Sequence, residues 1–334
     1  MTTIPVCTPQ GAYDVLLQAG ALARAGELLN LQRRVLIVTD SGVPARYAQA
    51  LADQCQTPLC VTLPGGEDCK RLAVVEDLLR QMLAAGFTRG DCVAAVGGGV
   101  VSDVSGLAAA LYMRGIDFYT VPTTLLAQVD ASVGGKTAVD LAGVKNAVGV
   151  FHQPARVLID PETLTTLPPR QLSAGLAEAI KVAVTLDADL FQRIEQSRDL
   201  PADLPEIICR AVQLKKAVVE QDPTEQGLRR VLNFGHTLGH GLESVTGLLH
   251  GECIAAGMLP MCGPRARARL EPVLAKYGLP TALPVPAEQL LPFLRHDKKA
   301  GTAGITTVWA DDVGTYRFET LTPEDLLAHL EATR

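Results

Sequence analysis

Apolar positions along this chain fall into two textures. Over the first half, short β-branched runs alternate with amphipathic stretches. Arg34 to Thr39 (RVLIVT), Asp91 to Val96 (DCVAAV) and Asp117 to Val121 (DFYTV) each read as a buried strand. Strands separated by helical segments imply a parallel, doubly wound sheet, and hence an α/β domain of Rossmann-like form. After Asp160 long segments of helical period take over, such as Leu172 to Leu186 and Leu204 to Glu220, and β-branched runs become scarce. Ile305 to Phe318 is the exception: its alternation around Asp312 and Gly314 predicts a small hairpin. The expected division is an α/β domain over residues 1–160 and a mainly α-helical domain over 161–334, with the boundary good to about ten residues.

Length and composition agree with two packed domains. The 334 residues are 48% hydrophobic and 20% charged, with no low-complexity tract, which excludes a disordered or fibrous chain. The net charge is -6 with acids and bases interleaved, so the basic stripe that nucleic-acid binding needs is missing. Met1 to Gln10 has neither a basic n-region nor an apolar core, and the apolar run near Val93 to Val101 is too short to span a bilayer. No membrane partner and a cytoplasmic location are therefore expected. The eight cysteines, Cys7, Cys55, Cys60, Cys69, Cys92, Cys209, Cys253 and Cys262, are scattered with no CxxC pair and read as reduced, mostly structural thiols.

Val96 to Asp103 (VGGGVVSD) runs from a strand through three glycines into a helix. Bare backbone lets N–H groups approach a phosphate, and the helix N-terminus favours the anion. Tight strand-to-helix turns also use glycine for steric reasons, so the loop alone says little. It has company: Gly65 to Lys70 (GGEDCK) is a second glycine turn with an acid and a lysine, and Val38 to Asp40 (VTD) ends the first strand on an acid suited to ribose hydroxyls. The GxGxxG fingerprint is absent, and dinucleotide binding is inferred from the arrangement.

Six histidines occur, and His236, His240 and His250 lie close together, followed by Gly251 and Glu252. His236 and His240 stand at i and i+4 on one helix face, a spacing able to bind a divalent metal. A single histidine would read as a cap or core residue; three together point to a metal. His152, His296 and His329 have no such company and keep the structural reading. Basic residues also sit inside motif-like stretches: Arg114, Lys136, Lys145, Lys181, Lys215, Arg229, Lys298 and Lys299. Lys136 and Lys145 follow glycines or apolar turns, which suggests a cluster for an anionic small molecule bearing phosphate and carboxylate.

These stretches, taken in order, resemble one family. VGGGVVSDVSG, YMRG, VPTTLLAQVDASVGGKTAV, VKNAVG, GLAEAIK, GLRRVLNFGHTLGH, HGECIAAGM and HDKK are similar to the motifs of the 3-dehydroquinate synthases, over about residues 30 to 300. The resemblance implies that Glu178, His236 and His250 hold the metal, leaving His240 on the substrate side or in proton transfer. It assigns Lys136, Asn146, Asn233, the Lys298–Lys299 pair and Arg114, reaching across a homodimer, to phosphate. Lys215 and Arg229 would hold a carboxylate, with Asp130 and Lys181 catalytic and Glu225 at the substrate. NAD would meet Asp40, Glu67, Lys70, Gly98, Gly99, Asp103, Thr123, Thr124, Lys145, Thr163 and Thr166. The chain departs from the family pattern at Ser102 (usually glycine), Gly42 (usually asparagine) and Asp140 (usually asparagine), and the stretch from Met258 to Gly278 is short.

The implied activity is that of an NAD- and metal-dependent carbon–oxygen lyase of aromatic amino-acid biosynthesis, acting on 3-deoxy-D-arabino-heptulosonate 7-phosphate. Transient oxidation at C5 acidifies C6–H, phosphate leaves by β-elimination, the ketone is reduced again, and an intramolecular aldol step closes the carbocycle. Zinc and cobalt both suit two imidazoles and a carboxylate. Other sugar-phosphate cyclases, using sedoheptulose 7-phosphate or glucose 6-phosphate, would leave Lys215 and Arg229 without a carboxylate. An iron-type polyol dehydrogenase would share the histidine texture but leave the cationic residues unexplained, and a non-catalytic binding protein would not need every catalytic position filled.

Overall fold

The computed structural model describes residues 1–295, 300–301 and 304–332. It divides into two compact units, Met1–Leu167 and Pro168–Arg334. The 3-10 turn Pro161–Thr166 belongs to the first unit, so the division falls a few residues beyond position 160.

The first unit carries β1 (Thr2–Thr8), β2 (Gly11–Leu17), β3 (Arg34–Asp40), β4 (Thr57–Leu63), β5 (Cys92–Gly97), β6 (Asp117–Pro122), β7 (Lys136–Leu141), β8 (Val144–Phe151) and β9 (Arg156–Ile159). Its helices are α1 (Ala25–Leu28), α2 (Ala45–Ala52), α3 (Leu72–Ala84) and α4 (Gly99–Leu111). Seven strands form one sheet in the order β1-β2-β9-β6-β5-β3-β4, parallel except for the antiparallel β1–β2 edge. The central strands are apolar throughout because both faces are covered. Leu36, Val38, Val93 and Ala95 pack toward α3 and α4, while Val35, Ile37, Ala94 and Val96 pack toward α1 and α2. β7 and β8 pair as a separate antiparallel hairpin.

From β3 the chain crosses to β4 on one side, then returns to β5 on the other. The order reverses there, opening a crevice beyond the carboxyl ends of β3 and β5, where open α/β sheets take their ligands. Asp40 and Gly97 are the last residues of those strands.

The second unit is mainly helical: α5 (Pro169–Leu186), α6 (Ala188–Gln196), α7 (Leu200–Gln221), α8 (His236–Val245), α9 (His250–Met258), α10 (Pro264–Lys276), α11 (Leu291–Arg295) and α12 (Pro323–Ala332). A small sheet of β10 (Ala300–Gly301), β11 (Gly304–Trp309) and β12 (Arg317–Leu321) contains the expected hairpin, paired from Ile305↔Leu321 to Trp309↔Arg317. α5 is buried along most of its length, from Ala174 through Thr185, which explains its continuous apolar texture. Among the described residues no helix is long and apolar enough to cross a membrane. The eight cysteines are all free thiols.

One carboxylate ties the end of the large sheet together. Buried Asp160, just after β9, accepts the backbone N–H groups of Gly20, Leu22 and Glu162, each at 3.0 Å. Asp160→Ala strands all three donors and is expected to destabilise the chain by about 3 kcal/mol, since each unmet buried donor costs about 1–3 kcal/mol. The denaturant midpoint checks this; an unchanged midpoint would show that water replaces the carboxylate without loss.

Candidate functional site

The second unit brings Glu178, His236 and His250 together, with one ligand atom of each within 4.8 Å of the others. Glu178 lies on α5 with 1% of its side chain exposed. Its Oε1 faces Nε2 of His250 at 3.4 Å and Nε2 of His236 at 3.8 Å. Its Oε2 takes the ammonium of Lys181, one turn further on and equally buried. The Lys181 pairing thus leaves Oε1 for the imidazoles. Each imidazole is held through its other nitrogen: His236 Nδ1 lies 3.3 Å from the Phe234 carbonyl, and His250 Nδ1 pairs with Glu243. Both Nε2 atoms are therefore turned on Glu178. Two imidazoles and a carboxylate are a sound donor set for a zinc-like ion with open positions.

Helix contact fixes this convergence. A Cβ at Gly251, the second residue of α9, would sit 1.8 Å from the Ala174 carbonyl oxygen, so α5 and α9 touch backbone to backbone. A Cβ at Gly257 would lie 2.3 Å from the Gly235 oxygen, which brings α8 equally close. Arg170 at the start of α5 donates to both oxygens of Glu252 on α9, each at 2.7 Å, and Glu252 also accepts the Leu249 N–H. The clamp holds together the two helices that supply Glu178 and His250.

His240 stands apart from the donor set. It is exposed, with its ring centroid 5.2 Å from that of His236 and 6.4 Å from that of His250. The i, i+4 pair is neighbouring, but the ligand atoms that converge are those of Glu178, His236 and His250, with the carboxylate coming from α5. Lys215 on α7 and Arg229 in the turn after it are both buried, and Arg229 Nη1 donates to the Pro223 carbonyl at 2.6 Å. Asp222, at the end of α7, accepts the N–H groups of Gln226, Gly227 and Arg229 and so shapes that turn. Asn233 Nδ2 donates to Glu225 at 2.6 Å. Lys298, Lys299 and His296 lie outside the described residues.

In the first unit most of the expected nucleotide residues lie at or just beyond the carboxyl ends of the sheet strands, while Lys145 lies on β8 of the separate hairpin. Asp40 Oδ1 accepts the Gly42 N–H at 2.7 Å, and the Thr123 N–H donates to the Gly97 carbonyl at 3.0 Å. A Cβ at Gly98 would meet Thr124 Cγ2 at 3.2 Å, so the cradle leaves little room for a side chain. Thr163 and Thr166 both contact the Tyr47 hydroxyl, through the Thr163 carbonyl at 3.2 Å and Thr166 Oγ1 at 2.9 Å. Lys70 is buried and donates to Asp103 at 2.8 Å and to Asn146 Oδ1, with Glu67 3.5 Å away. Burial lowers the Lys70 pKa, but Asp103, Glu67 and Asp140 overcome it and keep the ammonium charged. Burial above all lifts Asp103 to about 6; Lys70 pulls the other way, and Glu67 and Asp140 add a smaller push of like charge.

The other expected residues sit on separate elements. Asp130 lies in a single π turn, Ala127–Ala131, a local form common at functional sites. Lys136 opens β7; Lys145 and Asn146 are exposed on β8, with Asn146 at φ +50 and its N–H bound to Asp140. Arg114 is exposed at φ +72 on the turn after α4. His152 stacks on Phe118 and bonds the Ile116 carbonyl, and His329 bonds the Pro260 carbonyl, both structural roles.

Residues 60–174 match the family model for the N-terminal domain of 3-dehydroquinate synthase, and residues 175–300 match the model for its C-terminal domain. The chain belongs to the 3-dehydroquinate synthase family. A 3-dehydroquinate synthase of Synechococcus sp. is 42% identical over 93% of this chain and 93% of its own length. Two solved cyclases share the fold. One is 2-deoxy-scyllo-inosose synthase complexed with carbaglucose-6-phosphate, NAD+ and Co2+, at TM-score 0.88 and 26% identity, covering 100% of this chain and 99% of that one. The other is the 2-epi-5-epi-valiolone synthase ValA of Streptomyces hygroscopicus subsp. jinggangensis 5008 with NAD+ and Zn2+ bound, at TM-score 0.87 and 30% identity, covering 98% of each chain. Both solved cyclases match this chain along nearly its whole length.

Burial would lower the His250 pKa, yet hydrogen bonds and charge from Glu178 and Glu243 hold it at about 10 in the metal-free protein. A metal bound at these three side chains would have to displace this proton. Zinc binding should release about one proton, and affinity should rise about tenfold per pH unit between pH 7 and 9. The stability of the metal-free chain runs the other way: the His250 contribution is complete below about 6.5 and fades as pH rises through about 10. Proton release in a weakly buffered indicator solution checks the sign; zinc uptake independent of pH contradicts it. Gly251→Val, which drives a side chain into the Ala174 carbonyl, should abolish zinc binding, as read by equilibrium dialysis.

Proposed function

We propose that this chain converts 3-deoxy-D-arabino-heptulosonate 7-phosphate to 3-dehydroquinate and phosphate. NAD would be held by the first unit and one divalent metal, zinc or cobalt, by Glu178, His236 and His250. The observation that carries the reading is the convergence of Glu178, His236 and His250 in a chain of the synthase family, with Lys215 and Arg229 buried in the same unit. Lys215 and Arg229 are the residues proposed to hold the substrate carboxylate, whose plane a guanidinium fork matches.

When bound, the two groups supply a hydride acceptor and a Lewis acid for one substrate hydroxyl. Asp40, Glu67, Lys70, Asp103, Thr123, Thr124, Lys145, Thr163 and Thr166 would contact the nucleotide, with Gly98 and Gly99 offering backbone N–H groups to its pyrophosphate. Lys136, Asn146, Asn233 and the Lys298–Lys299 pair would bind the substrate phosphate, together with Arg114 from a second copy in a homodimer. Glu225 keeps the Asn233 amide turned by accepting its N–H. Lys181 neutralises one Glu178 oxygen and so leaves the other for the metal. Exposed His240, beside the triad, is placed to move a proton at the substrate, with Asp130 assisting. The protein is read as cytoplasmic.

The test is phosphate release from the heptulosonate phosphate with NAD and added zinc or cobalt, with sedoheptulose 7-phosphate as control. Turnover of the control alone would favour a carboxylate-free cyclase. Arg229→Ala should lower kcat/KM by roughly thirty-fold to several thousand-fold, the cost of about 2–5 kcal/mol for removing one partner of a buried charged pair. NAD and zinc affinities should stay near the parent's, which separates a lost carboxylate contact from a folding defect. Parent-like turnover in Arg229→Ala would show that the carboxylate is held elsewhere. Gly98→Val should weaken NAD binding strongly, and an unchanged fluorescence titration would remove this loop from the nucleotide site.

A further inference from the structure

We infer that Glu243 is a positioning residue of the metal centre, holding His250 with Nδ1 protonated and Nε2 directed at Glu178. The inference rests on the metal reading above and extends it to a residue outside the ligand set. Glu243 lies on α8 two turns after His236, so both side chains stand on one face of that helix. One helix therefore supplies a ligand, His236, and the group that orients another ligand on the next helix.

The Glu243 side chain is 6% exposed, and its Oε1 pairs with His250 Nδ1. A carboxylate this deeply buried has to be matched by a donor. The pairing decides the chemistry of the ring: with the proton held at Nδ1, only Nε2 can offer a lone pair, and Nε2 is the atom 3.4 Å from Glu178. The two imidazoles are steered differently. His236 leans on a neutral backbone carbonyl that the chain fixes, whereas His250 depends on one side chain that mutation can remove. Carboxylate support also raises the basicity of the ligating nitrogen, which a carbonyl does less.

The experiment compares zinc affinity of the parent, Glu243→Leu and Glu243→Gln by competition with a chromophoric chelator, measured across pH and corrected for competition from protons, with thermal unfolding of the same proteins alongside. Leucine keeps the bulk and removes the acceptor, so affinity should fall about 10- to 100-fold; glutamine keeps an acceptor oxygen and should lose less than about fivefold. A nitrogen-15 imidazole spectrum of the zinc-loaded parent should show His250 protonated at Nδ1 and bound through Nε2, a readout that needs no variant to fold. Parent-like affinity in Glu243→Leu, equal losses in both variants, or zinc on Nδ1 would overturn the inference. A parent that binds no zinc at all would instead remove the metal reading on which it stands.

Discussion

A carboxylate sealed from water is the point on which the second unit turns. Removed from solvent, an isolated carboxylate costs several kcal/mol or takes up a proton, unless cations or donors surround it. Glu178 is sealed in this way and has Lys181 on one oxygen and two imidazoles on the other. In the metal-free protein the His250 proton provides the second positive charge. A divalent ion among the same three side chains would take over that task, so proton and metal are alternative occupants of one electrostatic well. The rest of the unit preserves the geometry: α5 against α9 at Gly251, α8 against α9 at Gly257, and the Arg170–Glu252 clamp.

The first unit depends on topology more than on charge. Reversal of strand order after β4 puts the ends of β3 and β5 side by side, and the glycine loop and Asp40 follow from that. The three departures from the family pattern become readable here. Gly42 ties down an Asp40 oxygen through its backbone N–H, which any residue could do; only the lost side chain changes. Asp140 accepts the Asn146 N–H, as an asparagine oxygen would, but adds a negative charge beside Lys70. Buried Ser102 has a hydroxyl with no hydrogen-bond partner among the described residues, where a glycine would carry none.

Legibility in the sequence tracks burial. β3, β5, β6, α5 and α7 were readable because their apolar runs or helical periods fill cores. β8 was not, because it is exposed along nearly its whole length and shows no alternation. β4, an edge strand beginning Thr57–Pro58, carries a turn-like start that masks it. In the site, the clustered histidines announced a metal, but spacing alone pointed to His236 with His240. Glu178 comes from a distant helix, and only motif resemblance could single it out among 36 acidic residues. Glu243 carried no signal at all, since an acid on an amphipathic helix ordinarily faces solvent.

The fold does not choose a substrate, because cyclases of different substrate classes share it. Choice has to come from what the pocket cannot leave unpaired. Size selection between sugar phosphates differing by a few atoms is weak, whereas a site built around a polar group rejects analogues that lack it by large factors. Lys215 and Arg229, buried on the segment that runs from α7 into the turn before α8, are the groups proposed for that role. A sugar phosphate without a carboxylate would bring its phosphate but no anion for that proposed contact. The same desolvation that makes a carboxylate bind tightly would therefore make its absence costly, and selectivity would follow from burial itself, with no need for a steric barrier.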